Sequence, residues 1–368
     1  WLDTVRERPG MELKEFFYPE HTAVTDLTNT VYCNQLVAAL VKQGPVYKKP
    51  APAKRTAARQ VQAGFSTGSE WLYFKFYCGI KSADKILADA VHPAINALTE
   101  RNLVDKFFFI RYSDPGFHLR LRLHLPDLSK LGEVVQTVHR FIHPFESEGY
   151  IWKTQTDTYK RELDRYGRNT IELAEQLFCY DSDAVLKMLQ HTWGDAREQI
   201  RWLWTMRAID ELLTVFDLSL PEKLSQMEMM KDAFAAEFKS DKHLKNQINN
   251  KYRKYRKQIE TTMDAAQDAT NEMLPILEVL KQKSALCKPL ASTILHLKQN
   301  GQLKVPLDDL LFSYIHMLVN RVIPFKPRLH EMVIYDLLHQ YYRAVLSKNK
   351  AKSREEKIDI DSNIDSTQ

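Results

Sequence analysis

No apolar run in this sequence reaches the length needed to cross a bilayer, and no signal-peptide pattern opens it. A cytoplasmic protein without a membrane span is therefore expected. Cysteine is scarce as well. Cys33, Cys78, Cys179 and Cys287 are scattered, with neither CxxC nor Cys/His metal spacing, so they read as free thiols and not as a disulfide frame or a metal site. A Gly-rich phosphate loop, a G-x-S-x-G elbow and a Cys-nucleophile setting are all missing. Charge of one sign is also limited: the net value of +5 suits an anionic ligand without requiring one. With 44% hydrophobic and 27% charged residues, the composition is that of a globular protein, and 368 residues suffice for one large domain or two ordinary ones. The sequence starts at Trp1 without a methionine, which reads as a trimmed chain or a fragment and leaves an upstream targeting segment open.

What is present is a strictly alternating stretch, Phe108–Leu125, FFIRYSDPGFHLRLRLHL. On a β-strand successive side chains point to opposite faces, so Leu119, Leu121, Leu123 and Leu125 form one face and His118, Arg120, Arg122 and His124 the other. Two arginines facing the same way beside histidines form either a carboxylate or phosphate site or a solvated, structurally paired face.

Around that strand the pattern is β-α-β-β-α-β. Trp71–Tyr77 alternates, Ser82–Asn102 has helical spacing, and Lys106–Tyr112 and Phe117–Leu125 flank an Asp114-Pro115-Gly116 turn. Leu128–Glu148 predicts a second helix and Tyr150–Tyr159 a fourth extended segment. The expected fold class is α+β, a ferredoxin-like βαββαβ unit followed by a mostly helical region. Its sheet would carry helices on the apolar face and Tyr73, Lys75, Tyr77, Arg120 and Arg122 on the other. Helices are predicted over 171–178, 183–191, 195–218, 221–238, 244–268, 273–283, 290–299, 306–323 and 327–347, with Asp195 and Glu198 as a capping box. The resulting domain map is 1–47 as the end of a preceding domain, 48–70 as linker (KKPAPAKRTAAR within it), 71–166 as the α/β half, 167–347 as the helical half and 348–368 as a disordered tail.

Three further segments bear on chemistry. In YKRELDRYG, Glu162 and Arg165 are three apart and share a helical face, as an ordinary ion pair or as site residues. On the helix containing SYIHMLVNR, Asp309, Ser313, His316 and Asn320 fall within about 60° of one another on an otherwise apolar wheel. A helix this apolar is expected to be largely buried, so that the stripe lines a wet cleft. Arg321 intrudes into the apolar arc and needs a partner. The basic, tyrosine-bearing run KNQINNKYRKYRK at 245–257 is either a solvated helix face or a stacking surface for single-stranded nucleic acid.

Together WLYFKFYCG at Trp71, FFIRYSDPGFHLRLR at Phe108, RELDRYG at Arg161 and IHMLVNR at Ile315 resemble the glutamate-elimination domain at the C-terminus of the lantibiotic dehydratases, over about residues 70–345. FYPEHTAVTD and VYCNQLV near the start resemble the end of the preceding glutamylation domain. The resemblance implies a lyase that removes glutamate from glutamylated Ser or Thr of a precursor peptide, leaving dehydroalanine or dehydrobutyrine. It implies no cofactor and no metal. It places the family's two strand arginines on Arg120 and Arg122, its glutamate and arginine on Glu162 and Arg165, and its late-helix histidine on His316. Arg168 departs from the family pattern, which has a second glycine there. The implied partners are the glutamylated peptide and a glutamylation domain, in cis or as a separate chain that binds glutamyl-tRNA; a homodimer is left open. The rival readings are a pyridine-forming [4+2] cycloaddition enzyme of thiopeptide pathways and a non-catalytic leader-peptide scaffold acting by strand addition. An RNA-binding βαββαβ module is disfavoured because the third strand lacks the aromatic RNP signature.

Overall fold

Aromatic residues dominate β4 (Trp71–Cys78) and β5 (Lys106–Ser113), leucine alternates with Arg and His along β6 (Phe117–His124), and in the computed structural model these strands pair into one antiparallel sheet with β7 (Ile151–Thr156), in the order β5-β6-β4-β7. Residues 24–25, 27–29, 31–32, 61–192, 197–264 and 273–365 are described, with side chains for 27–29 and from Val61 as far as Ala351. The chain divides into two units, 1–59 and 60–368. The described part of the first is a short antiparallel pair, β1 (Val24–Thr25) with β2 (Val31–Tyr32), turning through Asn29 at φ 61°. The rest of the stretch expected to end a preceding domain, and residues 48–60 of the expected linker, lie outside the described residues.

In the second unit the register sets Tyr73 and Phe108 opposite Arg122, Lys75 and Ile110 opposite Arg120, and Tyr77 and Tyr112 opposite His118. The leucine face packs Leu72 and Phe107 beside Leu123, and Phe74 and Phe109 beside Leu121. The helical segment after β4 runs as α1 (Ala83–Ile86), a π-turn Leu87–Val91 and α2 (His92–Glu100), and α3 (Leu131–Ser147) follows β6. Ile86, Leu87, Val91, Ile95, Val134, Val138 and Ile142 join the leucines in the core. Burying each such side chain contributes about 1.5–3 kcal/mol. Much of the second face is covered as well. Tyr73, Tyr77, His118 and Arg122 are all buried.

The stretch expected as linker contains β3 (Gly64–Phe65), which pairs with β8 (Tyr159–Lys160). Phe65 is fully buried and stacks on Tyr159 at 5.8 Å. A two-residue strand is too short to leave an alternation in the sequence, and the single extended segment expected at 150–159 accordingly divides into β7 and β8.

A short helix, α4 (Leu163–Tyr166), ends at Gly167, whose φ is +76°. A Cβ there would meet the Thr170 hydroxyl at 2.7 Å, so both backbone conformation and space require glycine. Then come α5 (Ile171–Gln190), α6 (Arg197–Val215), α7 (Leu220–Glu237), α8 (Lys242–Met263), α9 (Leu274–Gln299), α10 (Leu307–Val322) and α11 (Pro327–Asp365). Two expected interruptions are absent. Asp181 and Ser182, which read as a break, lie inside α5 because each has a tertiary partner. Asp181 pairs with Lys283 at 2.7 Å, and the Ser182 hydroxyl accepts from the Phe109 N–H at 3.2 Å. Pro289 is accommodated within α9. The capping box forms at Ser219 and Glu222; Asp195 lies outside the described residues. Helix α11 runs through most of the segment expected as a disordered tail, where KAKSREEK supplies good helix formers.

The tyrosines of the basic run face inward. Tyr252 is buried and Tyr255 packs edge-on to Trp202, so the lysines and arginines form the outer side of α8. Arg321 finds partners for its intrusion into an apolar arc. Its Nε donates to Ser182 Oγ (3.1 Å), Nη1 donates to the Met317 carbonyl (2.9 Å), and the guanidinium lies over the Phe178 ring. Burial pulls it down to about 10.

Candidate functional site

Arg122 is 8% exposed, and its guanidinium is caged by three rings, Tyr73 at 4.7 Å, Tyr159 at 4.8 Å and Phe108 at 5.0 Å. Sheet register supplies Tyr73 and Phe108; β8 brings Tyr159 across. Burial, together with Glu175, pushes the Tyr159 phenol well above its ordinary value, and its hydroxyl donates to Glu175 Oε1 at 2.7 Å. The ring therefore stays neutral beside the cation. Desolvation lowers Arg122 itself, partly offset by Tyr159, Tyr73 and Glu162. Its Nε is buried without a hydrogen-bond partner. A buried donor left unmade costs about 1–3 kcal/mol, which an incoming acceptor would recover.

Arg120, on the same face, is positioned by His118. The His118 Nδ1–H donates to the Gly116 carbonyl (2.8 Å), which leaves Nε2 to accept from Arg120 Nε–H (3.0 Å). Burial lowers the basicity of His118, consistent with this neutral tautomer. The guanidinium lies over the Tyr112 ring at 3.4 Å. Lys75 stands opposite Arg120 in the register, and Asp157, in ion-pair contact with Lys75, offsets that like-charge pairing. The geometry makes His118 the orienting group for Arg120.

The loop carrying Glu162 and Arg165 is anchored by Arg161, which makes a two-pronged contact to Glu175 (Nε to Oε1 2.7 Å, Nη2 to Oε2 2.6 Å). Arg165 Nη1 donates to Glu162 Oε2 at 3.3 Å, and its Nε donates to Ser313 Oγ at 3.1 Å. The Glu162 side chain is 61% exposed. Ser313 lies one helical turn before His316 on α10, so the predicted polar stripe meets the loop there. Asp309, at the start of the stripe, is exposed. Asn320, at its end, serves the sheet. Its Oδ1 accepts from the Arg111 N–H (3.0 Å) and its Nδ2 donates to the Arg111 carbonyl (2.9 Å), capping the outer edge of β5.

His316 contacts none of the other four candidates directly. Its Nδ1–H donates to Oε1 of the fully buried Glu331 at 2.6 Å, and Arg328 Nη1 donates to Glu331 Oε2 at 3.2 Å. In the neutral imidazole this contact sets the tautomer, with Nε2 as the acceptor. Glu331 was not singled out from sequence: one glutamate in LHEMVI disturbs no pattern. The structure thus joins Arg122, Glu162 and Arg165 electrostatically, sets Arg120 on the same face of β6 as Arg122, and places His316 one turn along α10 from Ser313, the partner of Arg165.

A cavity of about 610 Å³ lies elsewhere, lined by Ile80, Lys81, Asp84, Arg201, Phe325 and His330 among others, and by none of the five candidates. Behind it Asp84 bridges two buried arginines, Arg111 (2.8 Å) and Arg201 (2.5 Å), and their charges outweigh desolvation to hold its carboxyl below the ordinary value.

Comparison with known proteins adds family information. The family described as lantibiotic biosynthesis dehydratase C-term matches residues 71–342. The subtilin biosynthesis protein SpaB of Bacillus subtilis is 25% identical over 236 residues, covering 62% of this chain and 22% of SpaB. The solved structure of the tRNA-dependent lantibiotic dehydratase MibB from Microbispora sp. 107891 has a TM-score of 0.63 at 19% identity, over 77% of this chain and 29% of MibB. The pyridine synthase TbtD from thiomuracin biosynthesis has a TM-score of 0.55 at 15% identity, over 75% of this chain and 100% of TbtD. At these identities the two structures share the fold. The chain spans less than a third of the length of SpaB and MibB.

Proposed function

The chain belongs to the lantibiotic biosynthesis dehydratase C-terminal family, and on that premise we propose that it is a lyase that eliminates glutamate from glutamylated Ser or Thr of a precursor peptide. The observation that carries the reading is Arg122, a buried cation whose Nε lacks an acceptor, beside a second arginine held in place by His118. Such a pair suits a carboxylate ligand.

In this reading Arg120 and Arg122 bind the glutamyl group and the negative charge that develops on the peptide carbonyl. His316 Nε2, with Nδ1–H held by Glu331, takes the Cα proton. The Cα–H electron pair forms the new C=C bond, the Cβ–O bond breaks, and glutamate departs as a free carboxylate. Acylation has already turned a poor leaving group into a good one, so the step calls for no cofactor. Glu162 and Arg165 orient the ester, and Glu162 is the rival base. The order and antiparallel pairing of the four main strands support a ferredoxin-like reading of the sheet. A glutamylation domain, in cis or as a partner chain charged from glutamyl-tRNA, would supply the substrate in the cytoplasm.

The test is a glutamylated peptide given to His316→Ala and Glu162→Gln variants. Loss of proton abstraction in the first, with substrate binding retained, supports the assignment; full dehydration by His316→Ala removes it. The full-length match to TbtD favours one second reading, pyridine formation. Mass spectrometry separates the two, since ring formation consumes dehydroalanines and releases no glutamate.

A further inference from the structure

Helix α3 holds a cluster that the elimination chemistry does not use. His139, His143 and Glu146 follow one another at i, i+4 and i+7, within about 60° on one face. His139 Nδ1 lies 3.9 Å and His143 Nδ1 3.8 Å from the same oxygen, Glu146 Oε2. The imidazole centroids are 5.0 Å apart, and one ligand atom from each of the three residues lies within 4.8 Å of the others. Thr154 of β7 donates to Glu146 Oε1 at 2.6 Å, which fixes one carboxylate oxygen and turns the other toward the histidines.

We propose that His139, His143 and Glu146 form a surface site for one divalent transition-metal ion, with Thr154 as its positioning residue. Two imidazole nitrogens and a carboxylate oxygen select ions of the zinc, nickel or copper type over magnesium and calcium, which prefer all-oxygen shells. Ligand bonds of about 2.0–2.2 Å around a tetrahedral ion place donor atoms about 3.4 Å apart. The two histidine–glutamate separations exceed this by about half an ångström, and the two exposed imidazoles would rotate to bring all three donors to the ion. The remaining position opens to water or to a side chain of another molecule. Thr154 is in register with Phe76 and so belongs to the leucine face, away from Arg120 and Arg122. The metal would brace two turns of α3, and Glu146 would carry the contact on to Thr154 of β7, without touching the proposed elimination site.

The test uses the tag-free chain, stripped with chelator and titrated with Zn²⁺ and Ni²⁺ by calorimetry, alongside thermal melting. One ion per chain and a raised Tm are expected, both lost in the His139→Ala/His143→Ala variant. Thr154→Val should weaken binding about 10- to 100-fold, as loss of an outer-shell partner does. Circular dichroism of each variant checks the fold, and glutamate elimination should be unchanged. Absence of saturable binding, or undiminished binding by the double variant, overturns the proposal.

Discussion

Replacing Arg122 with methionine separates a binding arginine from a structural one. The side chain is 8% exposed, and its Nε has no acceptor. Removing it relieves a buried unsatisfied donor, a gain of about 1–3 kcal/mol. It also forfeits cation–π attraction from Tyr73, Phe108 and Tyr159, worth about 2 kcal/mol or more when desolvated. These opposing contributions leave Arg122→Met within about 2 kcal/mol of the parent in urea unfolding, in line with other buried charges replaced by apolar residues of similar volume. Catalysis should respond far more strongly. Losing one preorganised contact to developing charge costs about 10²–10³ in kcat. The assay pairs urea midpoints with glutamate release from a glutamylated peptide, normalised to folded protein. A destabilisation beyond about 4 kcal/mol with kcat per folded molecule unchanged would refute the reasoning and make Arg122 a structural residue.

Three other outcomes follow from the same contacts. Glu331→Gln leaves His316 without its carboxylate anchor and should lower elimination about 10- to 100-fold, read as kcat in the same assay, while circular dichroism stays that of the parent. Asn320→Leu uncaps β5 and leaves the Arg111 N–H and carbonyl unpaired, costing about 1–3 kcal/mol in urea unfolding and accelerating hydrogen exchange at Arg111. Burial pushes the Cys78 and Cys179 thiols up to about 11 and Cys287 up to about 12, from an ordinary 9.0. Because the unfolded chain loses these protons first, their stabilising contribution is complete below pH 9 and is lost as pH rises through 11–12, by at most about 1.4 kcal/mol per pH unit for each thiol. Urea midpoints under reducing conditions should fall over that range, and the fall should be shallower in a triple Cys→Ala variant.

The strand with Arg120 and Arg122 is legible in sequence because a period of two holds over eight consecutive positions, and the register follows from it. The stripe on α10 is legible for the same reason at a period of 3.6. What surrounds them is not. The cage on Arg122 draws Tyr73, Phe108 and Tyr159 from three strands, and no local pattern announces that assembly. The Glu331 contact to His316 spans a turn between two helices. Asp181 and Ser182 read as helix breakers until Lys283, Arg321 and the β5 backbone satisfy them within α5. Local polarity marks a break only when no distant partner exists.

The proposed elimination takes place at the arginine face. Its most direct test is a single-turnover incubation of the chain with a peptide bearing a glutamyl ester on serine, followed by mass spectrometry. The expected result is stoichiometric release of glutamate with dehydroalanine in the peptide. An intact ester after many half-lives, or a new ring formed from dehydroalanines without glutamate release, would contradict it.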